Sequence, residues 1–189
     1  MRDYWKNYKQ ILRKEIKFMK KILLVMMLVF STFMFGNPEF EKSYGESITS
    51  TLKFGMTKQE FAKIIQKKAL SNSHDEGNYA VYYYANVKDP LGIERQLNSF
   101  NFVDGRLVSS VFDSQTTDAE HEQIIKMYIK NQNRLSKEKM TKLEAKGRLL
   151  LYNSKKTIEI ARMMDHTFIT VQTAAPRVLE YKIRSIKQN

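Results

Sequence analysis

The sequence predicts an α+β fold in which a helix pair packs on a three-stranded antiparallel meander, followed by a second helix-plus-short-meander unit. Three observations favour this class. A capping-box sequence opens a helix in each half of the chain, runs of aromatic and β-branched residues follow those helices, and tight-turn residues separate the runs. The chain divides accordingly into residues 1–18, 19–36, 37–116 and 117–189.

Residues 19–36 have the composition of a secretory signal peptide. The basic start Met19-Lys20-Lys21 precedes an apolar run over residues 22–35, which matches the apolar core of such signals in length. A membrane-spanning helix would need about 20 apolar residues. The pattern predicts a periplasmic or secreted protein. If the segment stays uncleaved it becomes an inner-membrane anchor, which would be the chain's one contact with a membrane.

Residues 1–18 precede this segment, and we interpret them as an extension upstream of a true start at Met19. A long basic n-region is the alternative. Residues 1–36 hold eight of the 32 Lys and Arg residues and two of the 20 Asp and Glu residues, so half of the net charge of +12 lies there. A footprint on phosphates should belong to the folded domain. No nucleic-acid partner is therefore expected.

The first unit opens with a periodic apolar pattern that predicts a helix. Tyr44, Ile48 and Leu52 recur every four residues, and Gly55 follows at the position where a glycine commonly ends a helix. The segment FGMTKQEF, residues 54–61, therefore predicts a helix, a tight corner and a second helix.

Five residues of this segment form the predicted structural corner. Thr57 and Glu60 match the capping box S/T-x-x-E, in which each side chain bonds the backbone N–H of the other residue. Met56 and Phe61 occupy the two positions of a hydrophobic staple. With Gly55 ending the preceding helix, each conspicuous residue receives a structural role rather than a catalytic one.

Three strands are predicted after these helices. A polar loop over residues 71–78 precedes a strand from Tyr79 to Val87. Leu97–Val103 and Arg106–Phe112 then flank Asp104-Gly105, the dipeptide most typical of a two-residue hairpin turn.

The turn length fixes the predicted register of this hairpin. Phe102 should pair with Leu107, and Phe100 with Ser109. The face that carries the two phenylalanines is expected to lie under the helices.

The order of these elements resembles the BamE/SmpA-like family of small bacterial envelope domains over residues 40–113. The residues that carry the resemblance are Ile48, Gly55-Met56-Thr57, Phe61, Ile64-Ile65, Tyr82-Tyr83, Phe102 and Asp104-Gly105-Arg106. Family members usually end the second helix with a Gly and a Pro, whereas this chain has Gln66-Lys67-Lys68. The resemblance implies an α/β sandwich that acts by protein–protein contact, and it transfers no functional residue.

A second helix-and-strand unit is predicted from Thr117 onwards. Thr117 and Glu120 form another capping box, and helical propensity continues over residues 139–146 to a predicted end at Gly147. Pro176 opens a final helix. Short strands are predicted at Leu149–Tyr152, Thr157–Met163 and Thr167–Thr173. Two such lobes are similar to the secreted β-lactamase-inhibitor architecture, in which paired helix-sheet units form a concave protein-binding face.

No catalytic, cofactor-binding or metal-binding residue is predicted. The three histidines, His74, His121 and His166, are not spaced as metal ligands, and the chain has no cysteine. It contains no G-x-S-x-G sequence and no glycine-rich phosphate loop. The run Asp165-His166-Thr167 is interpreted as turn chemistry. The chain is therefore not expected to be an enzyme.

Tyr82, Tyr83 and Tyr84 are the candidate partner-binding residues. On a strand, Tyr82 and Tyr84 share one face and Tyr83 points to the other. Since one face packs under the helices, the other should present a tyrosine, a residue common at protein contact surfaces. The alternative is that this tyrosine only covers the sheet, with its hydroxyl in water.

Together these observations predict an exported, non-catalytic envelope protein that acts through protein–protein contacts, in outer-membrane or envelope assembly. Its partners would be envelope or secreted proteins. A secreted inhibitor or adhesion-modulating module is one alternative. A cytosolic basic nucleic-acid-binding protein is the other.

Overall fold

Runs of aromatic and β-branched residues form eight antiparallel strands that pair into one continuous sheet. The computed structural model describes residues 38–187 except Lys146; the predicted extension and signal segment lie outside them. The strands are β1 (His74–Glu76), β2 (Tyr79–Lys88), β3 (Glu94–Val103), β4 (Arg106–Gln115), β5 (Thr141–Ala145), β6 (Arg148–Tyr152), β7 (Lys156–Met163) and β8 (His166–Thr173). Their order across the sheet is β1-β2-β3-β4-β8-β7-β6-β5.

The predicted fold class is wrong in its architecture. The helix pair on a three-stranded meander and the second short meander are not separate units, because β4 pairs with β8 over seven residues and joins two four-stranded meanders into one sheet. The sequence does not predict this pairing, because β4 and β8 each have the pattern of a final edge strand in a separate meander.

The two meanders have the same strand order on either side of the β4–β8 pair, with β1 to β4 on one side and β5 to β8 on the other. In each half a helix with a capping box precedes four strands, and a two-residue turn precedes the last strand. The arrangement repeats even though the residues do not.

The described helices are α1 (Lys58–Ile65), α2 (Asp118–Lys130), α3 (Gln132–Leu135) and α4 (Pro176–Lys187), after a 3-10 helix over Pro38–Ser43. Apolar residues of α1 and α2 share one core with both meanders, on what we call the helix face of the sheet. The opposite face is called the far face. Helix α4 lies there, where Lys182 pairs with Glu159 of β7 and Arg148 of β6 donates to the same carboxylate at 2.6 Å.

Both predicted capping boxes are confirmed. The backbone N–H of Glu60 donates to Thr57 Oγ1 at 3.2 Å, and the N–H of Thr57 donates to Glu60 Oε2 at 2.8 Å. Thr117 and Glu120 repeat this arrangement at the start of α2. Helix α1 ends at Ile65, and Gln66 after it adopts the left-handed conformation (φ 50°, ψ 26°) that glycine most often takes at a helix end.

The helix predicted over residues 44–52 does not form. A hairpin-like loop takes its place, in which Phe54 N donates to Glu46 O at 3.0 Å and Ser47 bridges to Lys53. The loop buries Ile48 and Leu52, each 1% exposed, whereas Tyr44 is 39% exposed, so two of the three periodic residues are buried without forming a helix.

Gly55 consequently ends no helix. Its φ is +83°, and a Cβ atom there would lie 2.6 Å from Cγ of Tyr44. Its N–H donates to Leu107 O at 2.9 Å, which ties the corner to β4. Phe61 is fully buried and Met56 packs against the core, at the two positions of the predicted staple.

Two further segments differ from their predicted structure. Residues 139–146 were expected to be helical, but Thr141–Ala145 form β5, because pairing with β6 overrides a weak helical propensity. Gly147 has φ +71° in the turn that follows and ends no helix. The predicted loop over residues 71–78 contains the short strand β1.

The register of the β3–β4 hairpin is shifted by a bulge. Phe102 pairs with Leu107 as predicted, but Phe100 pairs with Ser110 rather than Ser109, since Val108 is an extra residue on β4. Both phenylalanines face the helices as expected, and their ring centroids lie 4.8 and 5.3 Å from that of Phe61.

A buried lysine ties the first loop to the second half. Lys156 of β7 is 1% exposed, and its Nζ donates to Ser47 O at 2.7 Å and to Leu135 O. Glu46 Oε1 lies 3.6 Å away. Burial lowers the pKa of Lys156 to about 8, and Glu46 partly opposes this shift.

Replacing Thr57 by Ala should lower the free energy of unfolding by about 0.5–2 kcal/mol, because the N–H of Glu60 loses its acceptor. Thr117→Ala should have a similar cost, as the second box has the same geometry. Urea denaturation measures both. Thr51→Ala, at an exposed loop position, is the control, and equal losses in all three variants would contradict the capping role.

The free energy of unfolding should rise with pH in the range where Lys156 is deprotonated in the folded chain but still protonated in the unfolded chain. The pKa falls from 10.5 in the unfolded chain to about 8 in the folded one, so the unfolded chain binds more protons between these values. The difference in unfolding free energy between the native chain and Lys156→Met should therefore grow by up to about 3 kcal/mol across this window. Urea titrations at several pH values test this, and a constant difference would contradict it.

Candidate functional site on the far face of the sheet

The three predicted partner-binding tyrosines lie largely inside the fold. Tyr82 and Tyr84 share one face as predicted, and that face is the helix face, where their ring centroids lie 5.5 Å from Phe102 and 5.7 Å from Phe61, respectively. Tyr83 points to the far face, but it is only 6% exposed. Partner binding through these residues stays a prediction.

Tyr82 also has a local role at the sheet edge. Its hydroxyl donates to Asp75 of β1, and Lys58 Nζ of α1 binds the same carboxylate at 2.7 Å. Burial and the hydrogen bond to Asp75 raise the pKa of Tyr82 to about 12. The tyrosine thus helps to hold β1 and α1 together.

Exposed apolar side chains gather on the far face beside the joint of the two meanders. Leu97 and Met163 are each 37% exposed, and half-buried Phe168 lies between their strands. Leu97 pairs with Asp113, Asp113 with Phe168, and Met163 with His166, which places them on four neighbouring strands. We call Leu97, Asp113, Met163, His166 and Phe168 the seam patch.

His166 and Asp113 form a polar centre within the seam patch. His166 Nδ1 lies 2.9 Å from Asp113 Oδ1, and the imidazole stacks on Phe168 with centroids 6.1 Å apart. Burial raises the pKa of Asp113, which the hydrogen bond with His166 partly opposes. Since an ionised carboxylate can only accept, Nδ1 donates the proton and Nε2 keeps its lone pair.

The residues next to His166 attach β8 to its surroundings. Gln115 Nε2 donates to Asp165 Oδ2 at 2.7 Å, and the other oxygen of Asp165 lies 3.8 Å from His166 Nε2. The hydroxyl of Thr167 points to the helix face, where it lies 2.9 Å from His121 Nδ1. Asp165-His166-Thr167 therefore starts a strand and bonds to both faces of the sheet.

The other two histidines differ in burial. His121 of α2 is buried, and its Nε2 donates to Gly147 O at 2.6 Å while Nδ1 accepts from Thr167. Both ring nitrogens are thus used to attach α2 to β8 and to the β5–β6 turn. His74 is exposed on β1, with Nε2 2.9 Å from Glu76.

Residues 38–187 without Lys146 hold no group of three His, Cys, Asp or Glu side chains that could bind a metal ion. In the same part of the chain, no helix is long and apolar enough to cross a membrane.

Comparison with known proteins adds no relative. No protein-family model, curated protein or solved structure matches the chain. The resemblance to BamE/SmpA-like domains therefore rests on the sequence residues alone.

The seam patch was not predicted from the sequence, because its residues come from four strands of both meanders. Leu97 and Asp113 pair within the β3–β4 hairpin, and Phe168 becomes their neighbour only through the β4–β8 pairing. A local signal did exist in Met163-Met164, two large apolar residues beside a hairpin turn. Met164 is 57% exposed at that turn.

His121→Ala should destabilise the fold by about 1–3 kcal/mol, because the buried Thr167 hydroxyl would keep only its contact with Thr116 and helix α2 would lose its attachment to Gly147 O. His74→Ala is the matched control and should change stability by less than about 0.5 kcal/mol, since that side chain is exposed. Urea denaturation of both variants tests the assignment. Equal effects would show that the buried hydrogen bonds of His121 contribute little.

Proposed function

We propose that this chain is an exported, non-catalytic protein of the bacterial envelope that acts by binding another protein through the seam patch. The observation that supports the proposal most is the clustering of exposed apolar side chains. Three of the seven large exposed hydrophobics in the described residues, Leu97, Met163 and Met164, lie in or next to this patch. Contiguous exposed apolar surface commonly marks an interaction site.

The composition of the patch suits a protein partner. Leu97 and Phe168 flank the His166–Asp113 pair, so apolar contact surface surrounds a polar centre that can exchange hydrogen bonds. This combination of an apolar area with a few placed polar groups is typical of protein interfaces. The complementary surface would be apolar, with a hydrogen-bond donor opposite His166 Nε2.

Export is supported by the sequence of residues 19–36, with its basic start and apolar run. A part in outer-membrane or envelope assembly is what the resemblance to BamE/SmpA-like domains implies. A secreted inhibitor or adhesion-modulating module would use the same kind of contact on a different partner.

Site-specific photo-crosslinking in intact bacteria tests the interface. A crosslinking residue at Leu97 or Met164 should give the same adduct, because both positions border the patch. The same residue at Lys126 on α2 or Tyr181 on α4, both exposed and away from the patch, should not give it. Phe168→Ser should reduce the adduct at least tenfold.

Equal adducts at the control positions, or adducts unaffected by Phe168→Ser, would contradict the interface. An adduct of twice the chain's mass would identify a second copy as the occupant and overturn the proposed partner class. Fractionation that leaves the chain in the cytoplasm, together with RNA or DNA binding that weakens steeply with salt, would instead favour the nucleic-acid-binding alternative.

A further inference from the structure

The β7–β8 hairpin brings a thioether and an imidazole to neighbouring positions. Met163 and His166 flank the two-residue turn Met164-Asp165 and pair directly across the strands. Directly paired residues point to the same face, with Cβ atoms about 4.5–5.5 Å apart. We propose that Met163 Sδ and His166 Nε2 bind a soft monovalent metal cation, Cu(I) or Ag(I).

The imidazole is already oriented for this role. His166 Nδ1 donates to Asp113 Oδ1 at 2.9 Å, and the ring stacks on Phe168. The carboxylate fixes the tautomer, so the lone pair lies on Nε2. Metal-binding histidines commonly donate their other ring nitrogen to a carboxylate in this way. Asp113 is thus a positioning residue that does not touch the cation.

A cation can reach the site and meets favourable charge there. Met163 is 37% exposed and His166 is half-buried, so neither ligand lies behind the core. Asp165 Oδ1 lies 3.8 Å from Nε2, and Gln115 holds the other oxygen of the same carboxylate at 2.7 Å. This carboxylate lies on the side of the ring where the cation would bind, and it supplies a negative charge.

The donor set selects for a soft cation. Thioether sulfur prefers Cu(I), whereas carboxylate and carbonyl oxygens suit Mg²⁺ and Ca²⁺. The described residues offer no group of three His, Cys, Asp or Glu side chains for a harder ion. The chain has no cysteine, so methionine is its one source of soft sulfur. The site needs no partner protein, although it shares Met163 and His166 with the seam patch.

Titration of the purified full chain with Ag(I), followed by NMR of ¹³C-labelled methionine methyl groups, tests the site directly. The chain has ten methionines, and the signal of Met163 is assigned as the one lost in Met163→Leu. That signal should shift and saturate as Ag(I) is added at mildly alkaline pH. Other methionines that bind Ag(I) elsewhere do not affect this readout.

Two variants separate the ligands from the fold. Met163→Leu keeps the apolar volume, and His166→Asn keeps a donor towards Asp113 while it removes Nε2. Each should weaken Ag(I) binding at this site at least tenfold, measured on the imidazole signals of His166 in Met163→Leu and on the methyl of Met163 in His166→Asn. Met127→Leu and His74→Ala are the matched controls and should leave it unchanged.

Three results would overturn the site. The Met163 methyl could stay unchanged at saturating Ag(I), both ligand variants could bind as tightly as the native chain, or Zn(II) could move the Met163 methyl as far as Ag(I) does. The last result would show that the thioether does not select a soft ion. A retained circular dichroism spectrum in each variant ensures that any loss of binding is not a loss of fold.

Discussion

The pairing of β4 with β8 is the constraint on which the rest of the structure depends. Each meander alone would leave one long strand with unpaired backbone groups, and the two strands satisfy each other over seven residue pairs. The same pairing places Phe112 beside Ile169 on the helix face, so that both halves share one core. On the far face it places Asp113 of the first half within reach of His166 of the second. The seam patch is therefore a product of the joint and belongs to neither half alone.

The two halves repeat a topology while they differ in packing chemistry. Aromatic rings fill the core of the first half: they are Phe61, Phe100, Phe102 and Phe112. Branched aliphatic residues fill that of the second: they are Leu149, Leu151, Ile158, Ile160, Ile169 and Val171. What repeats is confined to points where the backbone is constrained, namely the helix starts at Thr57 and Thr117 and the turns at Asp104-Gly105 and Met164-Asp165. Either set of side chains can fill the core volume. This explains why the sequence alone does not reveal the repeated topology.

Sequence predictions were correct for features that depend on residues close in the chain and wrong for features that depend on residues far apart in it. Capping boxes, the Asp104-Gly105 turn and the helix start at Pro176 depend on residues close in the chain, and all three are confirmed. Residues 44–52 and 139–146 were misassigned because neighbours distant in sequence decide their conformation. The bulge at Val108 has no recognisable signal in the neighbouring sequence either. The residues of the candidate site come from strands far apart in the sequence, and only the adjacent Met163 and Met164 are noticeable in the sequence itself.

The outermost strands limit how the sheet can be used. Within the described residues, β1 is three residues long and reads His-Asp-Glu, and β5 is five residues long and exposes Lys142 and Glu144. Short, charged edge strands disfavour the addition of a strand from another chain. Few backbone groups are available for pairing, and the charged side chains of the edge would have to be desolvated. Recognition by backbone extension of the sheet, the mode used by many peptide-binding domains, is therefore disfavoured at both ends. If this sheet binds a partner, selectivity would reside in side chains on the two faces of its described strands, where single substitutions can change specificity without disturbing the backbone hydrogen bonds.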